Sequence, residues 1–495
     1  MRYVEGTSRD QTLLLRYEDM VDETAMVRVI DRFVEVIDLA GLGFEKTKPA
    51  ATGRPGYAPK ALAKLYVYGY ENGVRSSRKL ERETRRNVEV VWLVEGVTPD
   101  YKTIAEFRKN NLRPLQKLFR EFVKLCKSWE LVGGELIAVD GTKIKASNNK
   151  KMNFSRKKLD ARLARLDEQI QRHLAEMEQN DHAEHTSTDT VQLQQLLERK
   201  EAYETYKKQL DDCGSNELSV VDPDARLMGN NRGGVDVAYN VQSAADGKHD
   251  IVVAYDVSTN PSDHHQLGNM VKKVKRGLKL RRFVVLADKG YYNGKDLARV
   301  KKYKVTAIVA RQKPPNSKNL PAQFQSKNFV YDSLTDTYRC PIGQRLSSQN
   351  KKDSKRRNFR NKAACAACPH KTDCVSGEAG FRTVTRSRYA SIFEETDKQL
   401  AENMELYQLR QRIVEHPFGT VKQAMNGGYF LLRTRRKVRT EVALLLLGYN
   451  LKRAVNILGF KEIMERLDSS AHIMSRFARR FLHCHLVHPA RGTVL

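Results

Sequence analysis

Apolar residues recur at helical spacing over 23–40 and again over 59–73, with the turn-rich Gly53-Arg54-Pro55-Gly56 between them. Pro59 suits the first turn of a helix, where its missing N–H has no bond to make. Shorter helices are expected over 76–85, 87–93, 101–110 and 112–126. Short helices broken by tight turns, with Arg78, Arg82, Arg85 and Arg86 on or near one of them, suit a helix-turn-helix-like reader of nucleic acid. They suit equally a helical cap that packs on the next domain.

At Leu136 the pattern changes. Glu135-Leu-Ile-Ala-Val-Asp140 has the length and apolar content of a strand, ended or turned by Gly141-Thr142. Further strands are expected over 234–243, 249–257, 282–287 and 304–310. Asp246-Gly247-Lys248 forms a hairpin turn between the second and third. Helices are expected over 265–276 and 293–302. Antiparallel strands followed by alternating helices and parallel strands give an α/β fold. The order is that of an RNase H-like mixed five-stranded sheet with flanking helices.

Two excursions interrupt this order. In 154–213, Leu159, Leu163, Leu166, Ile170, Leu174 and Met177 recur every three or four residues, and 193–210 behaves alike. The pair is expected as a helical hairpin, with a loop over 182–190. The second excursion, 311–388, is polar and basic and carries clustered cysteines. Long helices are expected over 394–416 and 441–457. The organisation expected is therefore a helical N-terminal DNA-binding domain (1–130), a catalytic core (131–153 and 214–310), a helical-hairpin insertion (154–213), a Cys-rich insertion (311–393), the C-terminal part of the core (394–467) and a tail (468–495).

Charge narrows the function. The 495 residues hold 88 Lys and Arg against 59 Asp and Glu, a formal net charge of +29. Such an excess points to a polyanionic partner, because cations that neutralise a phosphate backbone release its condensed counterions. No stretch approaches the roughly 18 apolar residues of a membrane span. The longest, Val442-Ala-Leu-Leu-Leu-Leu-Gly448, is far shorter, and residues 1–10 hold no apolar signal core. A cytoplasmic, nucleoid-associated protein is the expectation.

Three acidic blocks carry the chemistry: Glu135-Leu-Ile-Ala-Val-Asp140-Gly-Thr-Lys, Val285-Leu-Ala-Asp288-Lys-Gly-Tyr291 and Ile413-Val-Glu415-His-Pro-Phe-Gly-Thr-Val-Lys422. Asp140 and Asp288 each close a strand pattern, and Glu415 lies in a helical one. Three carboxylates brought together repel one another unless a cation neutralises them, which suits a hard divalent ion, Mg²⁺ or Mn²⁺. The blocks, in this order, resemble those of bacterial DDE transposases, and the chain is most similar to the IS1182 group, related to the IS4-like and IS5-like insertion-sequence enzymes. Pro99-Asp100-Tyr101-Lys102-Thr103-Ile104, with Phe107-Arg108, and the Cys-rich insert extend the resemblance over nearly the whole chain.

The resemblance implies that Asp140, Asp288 and Glu415 are the catalytic, metal-binding triad of a DNA transposase. Such an enzyme cleaves and joins strands at insertion-sequence ends by two-metal phosphoryl transfer. It also implies double-stranded DNA with terminal inverted repeats, target DNA and a homodimer on DNA as partners, and no membrane. A Tyr, Arg, Glu, Lys signature maps onto Tyr407, Arg410, Glu415 and Lys422. The Arg-to-Glu step is one residue longer than usual, about 100° of helix rotation, so Arg412 competes with Arg410.

Basic residues flank every acid. Lys143, Lys145 and Lys150 follow Asp140, Lys289 follows Asp288, and Arg433, Arg435, Arg436, Lys437 and Arg439 follow the helix of Glu415. Lys143, Lys289, Arg410, Lys422, Arg435 and Arg436 are the candidate DNA contacts. Asp236, Asn240 and Gln242 alternate on one strand face, either an active-site wall or a solvated face, and Asp256 is a weaker metal candidate. Cys340, Cys365, Cys368 and Cys374 offer four soft ligands, which in a reducing compartment favour structural Zn²⁺ over a disulfide pair, with free thiols as the alternative. His472 and Cys484 have no evident partner. Rival functions are a metal-dependent endonuclease without strand transfer and a catalytically silent DNA-binding protein derived from a transposase.

Overall fold

In the computed structural model the chain is described over residues 16–49, 51–52, 55–179, 187–214, 216–230, 233–311, 320–350, 354–375 and 380–470. His472, Cys484 and most of the expected 182–190 loop lie outside these residues. Helices α1 (Met26–Val36), α2 (Leu39–Leu42), α3 (Pro59–Glu71), α4 (Ser77–Arg86), α5 (Val88–Leu93), α6 (Tyr101–Asn110) and α7 (Leu112–Ser128) come first. Strand β1 (Leu136–Lys145) and β2 (Asn153–Ser155) precede the helices α8 (Arg156–Gln179) and α9 (Ser187–Asp212). Strands β3 (Glu217–Ser219), β4 (Arg226–Gly229), β5 (Val235–Asp246) and β6 (Val252–Ser258) lead to α10 (Leu267–Leu278), β7 (Val284–Ala287), α11 (Gly294–Lys302) and β8 (Thr306–Val309). Then come β9 (Val330–Asp332), β10 (Thr337–Arg339), β11 (Arg345–Ser348), β12 (Arg356–Arg360), α12 (Lys362–Ala366), α13 (Lys371–Cys374) and β13 (Val384–Ser387). Helices α14 (Ala390–Glu402), α15 (Met404–Gln423) and α16 (Arg435–Leu458) follow.

This mixed α/β chain divides into two units. One comprises Met1–Gly133, Gly141–Ser262 and Arg412–Leu495, the other Gly134–Asp140 and Asp263–Gln411. Local chemistry sets the helix starts in the first. Pro59 opens α3, the Asn87 side chain accepts from the Glu89 and Val90 amides at the start of α5, and Asp100 does the same for Lys102 and Thr103 at α6. The core gathers around α3 and α16, where every residue from Leu62 to Glu71 and from Thr440 to Leu451 is buried. Gly448 permits the close crossing of these helices, because a Cβ there would lie 3.0 Å from the Glu71 Cα. The apolar run of 442–448 is thus the core helix of this unit. No single helix among the described residues is long and apolar enough to cross a membrane.

The hairpin enters and leaves through the antiparallel pair β2–β3, with Asn153 opposite Ser219 and Ser155 opposite Glu217. Its base packs Phe154, Leu159 and Leu210 with Tyr203 and Tyr206. Farther out, Asp160–Lys207 and Asp167–Lys200 ion pairs, each 2.7 Å, link α8 to α9. The apolar stripe thins outward: Leu166 and Ile170 are buried, whereas Leu174 is exposed.

In the second unit β1 runs parallel to β7, from Leu136 opposite Val284 to Val139 opposite Ala287, and β7 runs parallel to β8. In the first, β5 pairs antiparallel with β4 over 235–238 and with β6 over 240–245, bulging between Ala244 and Ala245. The resulting strand order is β4-β5-β1-β7-β8, with β6 on β5. Strand β1 belongs to both units, its apolar half buried and its polar half, from Asp140, more exposed.

Several expectations need correction. Asp140 does not end its strand, because Gly141 and Thr142 continue extended and β1 runs to Lys145. The helix expected over 394–416 is two helices, broken at Asn403, and the second extends to Gln423. Arg435, Arg436, Lys437 and Arg439 lie inside α16, which begins six residues before the helix expected from 441. The Cys-rich stretch, for which the sequence pattern predicts no elements, has a sheet of its own. Strands β9 to β13 form an antiparallel sheet in the order β13-β12-β11-β10-β9, built on a core of Phe329, Tyr338, Leu346, Phe359 and Val384.

Candidate active site

Asp140 and Asp288 are brought together by register. The last paired residues of β1 and β7 are Val139 and Ala287, so the two acids are the next residues on neighbouring parallel strands. Adjacent strands lie about 4.8 Å apart, and acids on two such neighbouring backbones offer the hard oxygen donors a divalent cation takes. Asp288 is held in place: its Oδ1 accepts the Gly290 amide at 2.8 Å and so caps the short turn of Lys289–Tyr291. That bond leaves Oδ2 as its second donor. A further carboxylate, Asp263, faces the same point. A Cβ on Gly290 would lie 3.0 Å from Asp288 Oδ1 and 3.6 Å from Asp263 Oδ2. Asp263 had no sequence signal, since Asn260-Pro-Ser-Asp263 has the composition of a turn.

Glu415 belongs to the other unit, exposed on α15. Its helix is anchored there by Lys422, whose Nζ donates to Thr142 Oγ1 on β1, two residues past Asp140. The Lys145 carbonyl accepts from the Phe430 amide at 2.8 Å, so the chain after α15 is also fastened to this strand. Arg410 sits with its guanidinium 5.9 Å from the Tyr407 ring centre. Among the described residues, no group of three or more His, Cys, Asp or Glu is already arranged around a metal position.

The cations fall in distinct settings. Lys143 and Lys289 are exposed, on β1 and just after Asp288. Arg435 and Arg436 are exposed in the first turn of α16. The entry to that helix is strained, with Thr434 at φ 72°, an unusual value for a β-branched residue. Two acids hold it: Asp222 Oδ1 accepts the Thr434 amide and Asp224 Oδ2 the Arg435 amide, both at 2.9 Å. Arg435 Nε donates to the Val257 carbonyl at 2.6 Å. Asp256, weighed as a metal candidate, lies 3.6 Å from Arg439 and 3.9 Å from Arg435 in an ion-pair network. Asn240 and Gln242 are buried and bonded to each other at 2.9 Å, which removes the solvated-face reading for these two, whereas Asp236 is half-buried beside Lys145.

Two further groups of residues are basic or thiol-rich. On α4, Arg78, Lys79, Arg82, Arg85 and Arg86 are all exposed, while Leu80, Glu83 and Thr84 are buried. In the second unit Cys340, Cys365, Cys368 and Cys374 line one apolar cavity of about 30 Å³ with Phe324 and Phe329. All four are free thiols. Burial pushes the Cys374 thiol up, and Cys365, Cys340 and Cys368 push it the same way against the opposing effect of Arg382.

Two transposase family models match the chain. The one described as "Transposase domain (DUF772)" matches residues 15–110, and the one described as "Transposase DDE domain" matches residues 219–451. No curated protein matches. Among solved structures, the chain is similar to one described as the cryo-EM structure of piggyBac transposase synaptic complex with hairpin DNA. The identity is 11%, over 95% of this chain and 87% of that one, with a TM-score of 0.32, too distant a likeness to bear on the site. Together the two matches cover most of the chain, which belongs to the DDE transposases.

Proposed function

We propose that Asp140, Asp288 and Glu415 hold the divalent ions, Mg²⁺ or Mn²⁺, with which this transposase cleaves and joins DNA. The observation that carries the reading is the β1–β7 register, which makes Asp140 and Asp288 neighbours one residue past Val139 and Ala287. The strand order, with β1, β7 and β8 parallel and β5 and β6 antiparallel, supports an RNase H-like core. When bound, the ions supply charge neutralisation at the phosphorus centre. The chain's own residues do the rest: Gly290 fixes the orientation of the Asp288 carboxylate, and Lys422 ties α15 to β1. Lys143, Lys289, Arg410, Lys422, Arg435 and Arg436 contact phosphates.

The helical N-terminal domain binds double-stranded DNA through the exposed cations of α4, with a dimer acting on the two inverted-repeat ends. Nucleoid association follows from that partner. The four thiols bind a structural Zn²⁺, a reading supported by four soft donors lining one cavity. Zinc added to metal-free protein should protect all four from thiol reagents, and continued reaction of all four refutes this reading.

The decisive experiment pairs cleavage of a duplex carrying the flanking repeats with strand transfer from a pre-cut 3′-OH end. Asp140→Asn, Asp288→Asn and Glu415→Gln should each abolish both reactions and leave DNA binding intact. Normal cleavage by any of them removes that residue from the metal set.

A further inference from the structure

One polar chain in the first unit begins at the residue after Glu415 and has no role in the reading above. His416 follows Glu415 on α15, and its Nδ1 is 2.9 Å from the Tyr449 hydroxyl. That hydroxyl donates to the main-chain carbonyl of Asp250 at 3.0 Å. A phenol has one proton. Given to Asp250, it leaves only a lone pair toward the imidazole, so His416 Nδ1 carries hydrogen and donates. The assignment is the same for the neutral ring and for the imidazolium.

Both ends of this chain are firmly seated. Tyr449 is 1% exposed, and its ring meets the imidazole edge-on at 5.7 Å. Asp250 sits in the left-handed region, φ 58°, within the β5–β6 turn. Arg453 donates to the His249 carbonyl at 2.9 Å and to Asp250 Oδ2 at 3.1 Å. Buried Asn450 accepts the Val252 amide at 2.9 Å and donates to its carbonyl at 2.8 Å. Helix α16 therefore grips the turn with three side chains, and one of them also holds His416.

Helix α15 has a particular need for such a hold. Pro417 lies inside it, and a proline in a helix interior makes no bond back to the carbonyl four residues earlier, here that of Ile413. The weakened turn is the one that bears Glu415. We propose that His416 is a positioning residue: through Tyr449 and Asp250 it fixes the rotation of α15 at Glu415 and so aims that carboxylate. The inference rests on Glu415 being a metal ligand.

The test uses the full chain, a duplex with the flanking repeats and a Mg²⁺ titration, with DNA affinity and melting temperature measured alongside. His416→Leu and Tyr449→Phe should lower the single-turnover cleavage rate about tenfold, or raise the Mg²⁺ needed for half activity several-fold, with DNA affinity unchanged. His416→Asn keeps a nitrogen donor at the same number of bonds from Cα and should stay within about twofold of wild type. A melting-temperature loss with unchanged rate and Mg²⁺ dependence per folded molecule overturns the inference. So does a His416→Asn variant as impaired as His416→Leu. Glu415→Gln, run in parallel, separates the two readings. If it cleaves normally, the Glu415 assignment fails; if it is dead while His416→Leu is normal, only the positioning role fails.

Discussion

Gly290→Ala is the sharpest test of how Asp288 is aimed. The added methyl would lie 3.0 Å from Asp288 Oδ1, whereas ordinary contact begins at 3.4 Å, so the carboxylate must retreat by a few tenths of an ångström. The retreat stretches the 2.8 Å bond from the Gly290 amide that fixes its orientation. A bond of this kind to a charged group contributes about 1.5–3 kcal/mol, so the carboxylate has no cheap alternative pose. Fold stability should hardly move, because alanine restricts the unfolded chain by about 0.4–1 kcal/mol and offsets the crowding. Catalysis should move more. A misplacement of about 1 Å costs roughly a hundredfold, so a few tenths should cost about three- to tenfold, or about 0.7–1.4 kcal/mol of barrier. The assay is single-turnover cleavage of repeat-bearing DNA at saturating Mg²⁺, corrected for the folded fraction by chemical denaturation. A wild-type rate, or a loss explained wholly by unfolding, refutes the claim that Gly290 is small for the sake of Asp288.

Other outcomes follow from the same contacts. Asp222→Ala should destabilise the first unit by about 2–4 kcal/mol in denaturant titrations, since it strands the Tyr239 hydroxyl and the Thr434 amide, both bonded to Asp222 Oδ1; a smaller loss means the turn before α16 is held by other groups. Arg78→Ala and Arg82→Ala should each weaken DNA binding and reduce its salt slope by about 1, and an unchanged slope removes that residue from the phosphate contacts. Burial alone would raise Glu35, but Lys60 and Lys64 outweigh it and hold its carboxyl below the usual range. Its contribution is therefore present above the unfolded pKa and lost as pH falls through the lower folded one. In acid unfolding curves Glu35→Gln should lie below wild type at neutral pH and converge with it in acid; parallel curves would refute the pairing.

Much of this was legible in the sequence, and the exceptions have physical causes. The parallel strands follow from short unbroken apolar runs, in which consecutive residues are buried, and the helical hairpin from an apolar stripe at helical spacing. Strand β1 was read too short because its second half, Asp140 to Lys145, loses the apolar signal while keeping its pairing through Lys145. Strands β9 to β13 leave little signal in the sequence because each is three to five residues long and all but Val330–Asp332 carry Arg, Ser or Thr. Their core needs one aromatic or aliphatic residue apiece, too sparse a pattern to stand out. Of the candidate site, Asp140 and Asp288 were visible as polar residues closing apolar runs. Asp263, Thr142 and His416 were not, because their roles depend on partners distant in sequence or, for Asp263, on a turn that places it beside Gly290.

The β2–β3 ladder has a consequence for how this protein can change. Because Asn153 and Ser219 face each other across two short strands, everything between them is a loop in the topological sense, however long its helices. Adding or removing a matched pair of turns would alter the arm's reach by about 5.4 Å per turn while asking nothing of β1 or β5. The 24 residues of α8 and 26 of α9 therefore form a unit whose length is set by its own helix pairing and by nothing in the strands that carry the acids.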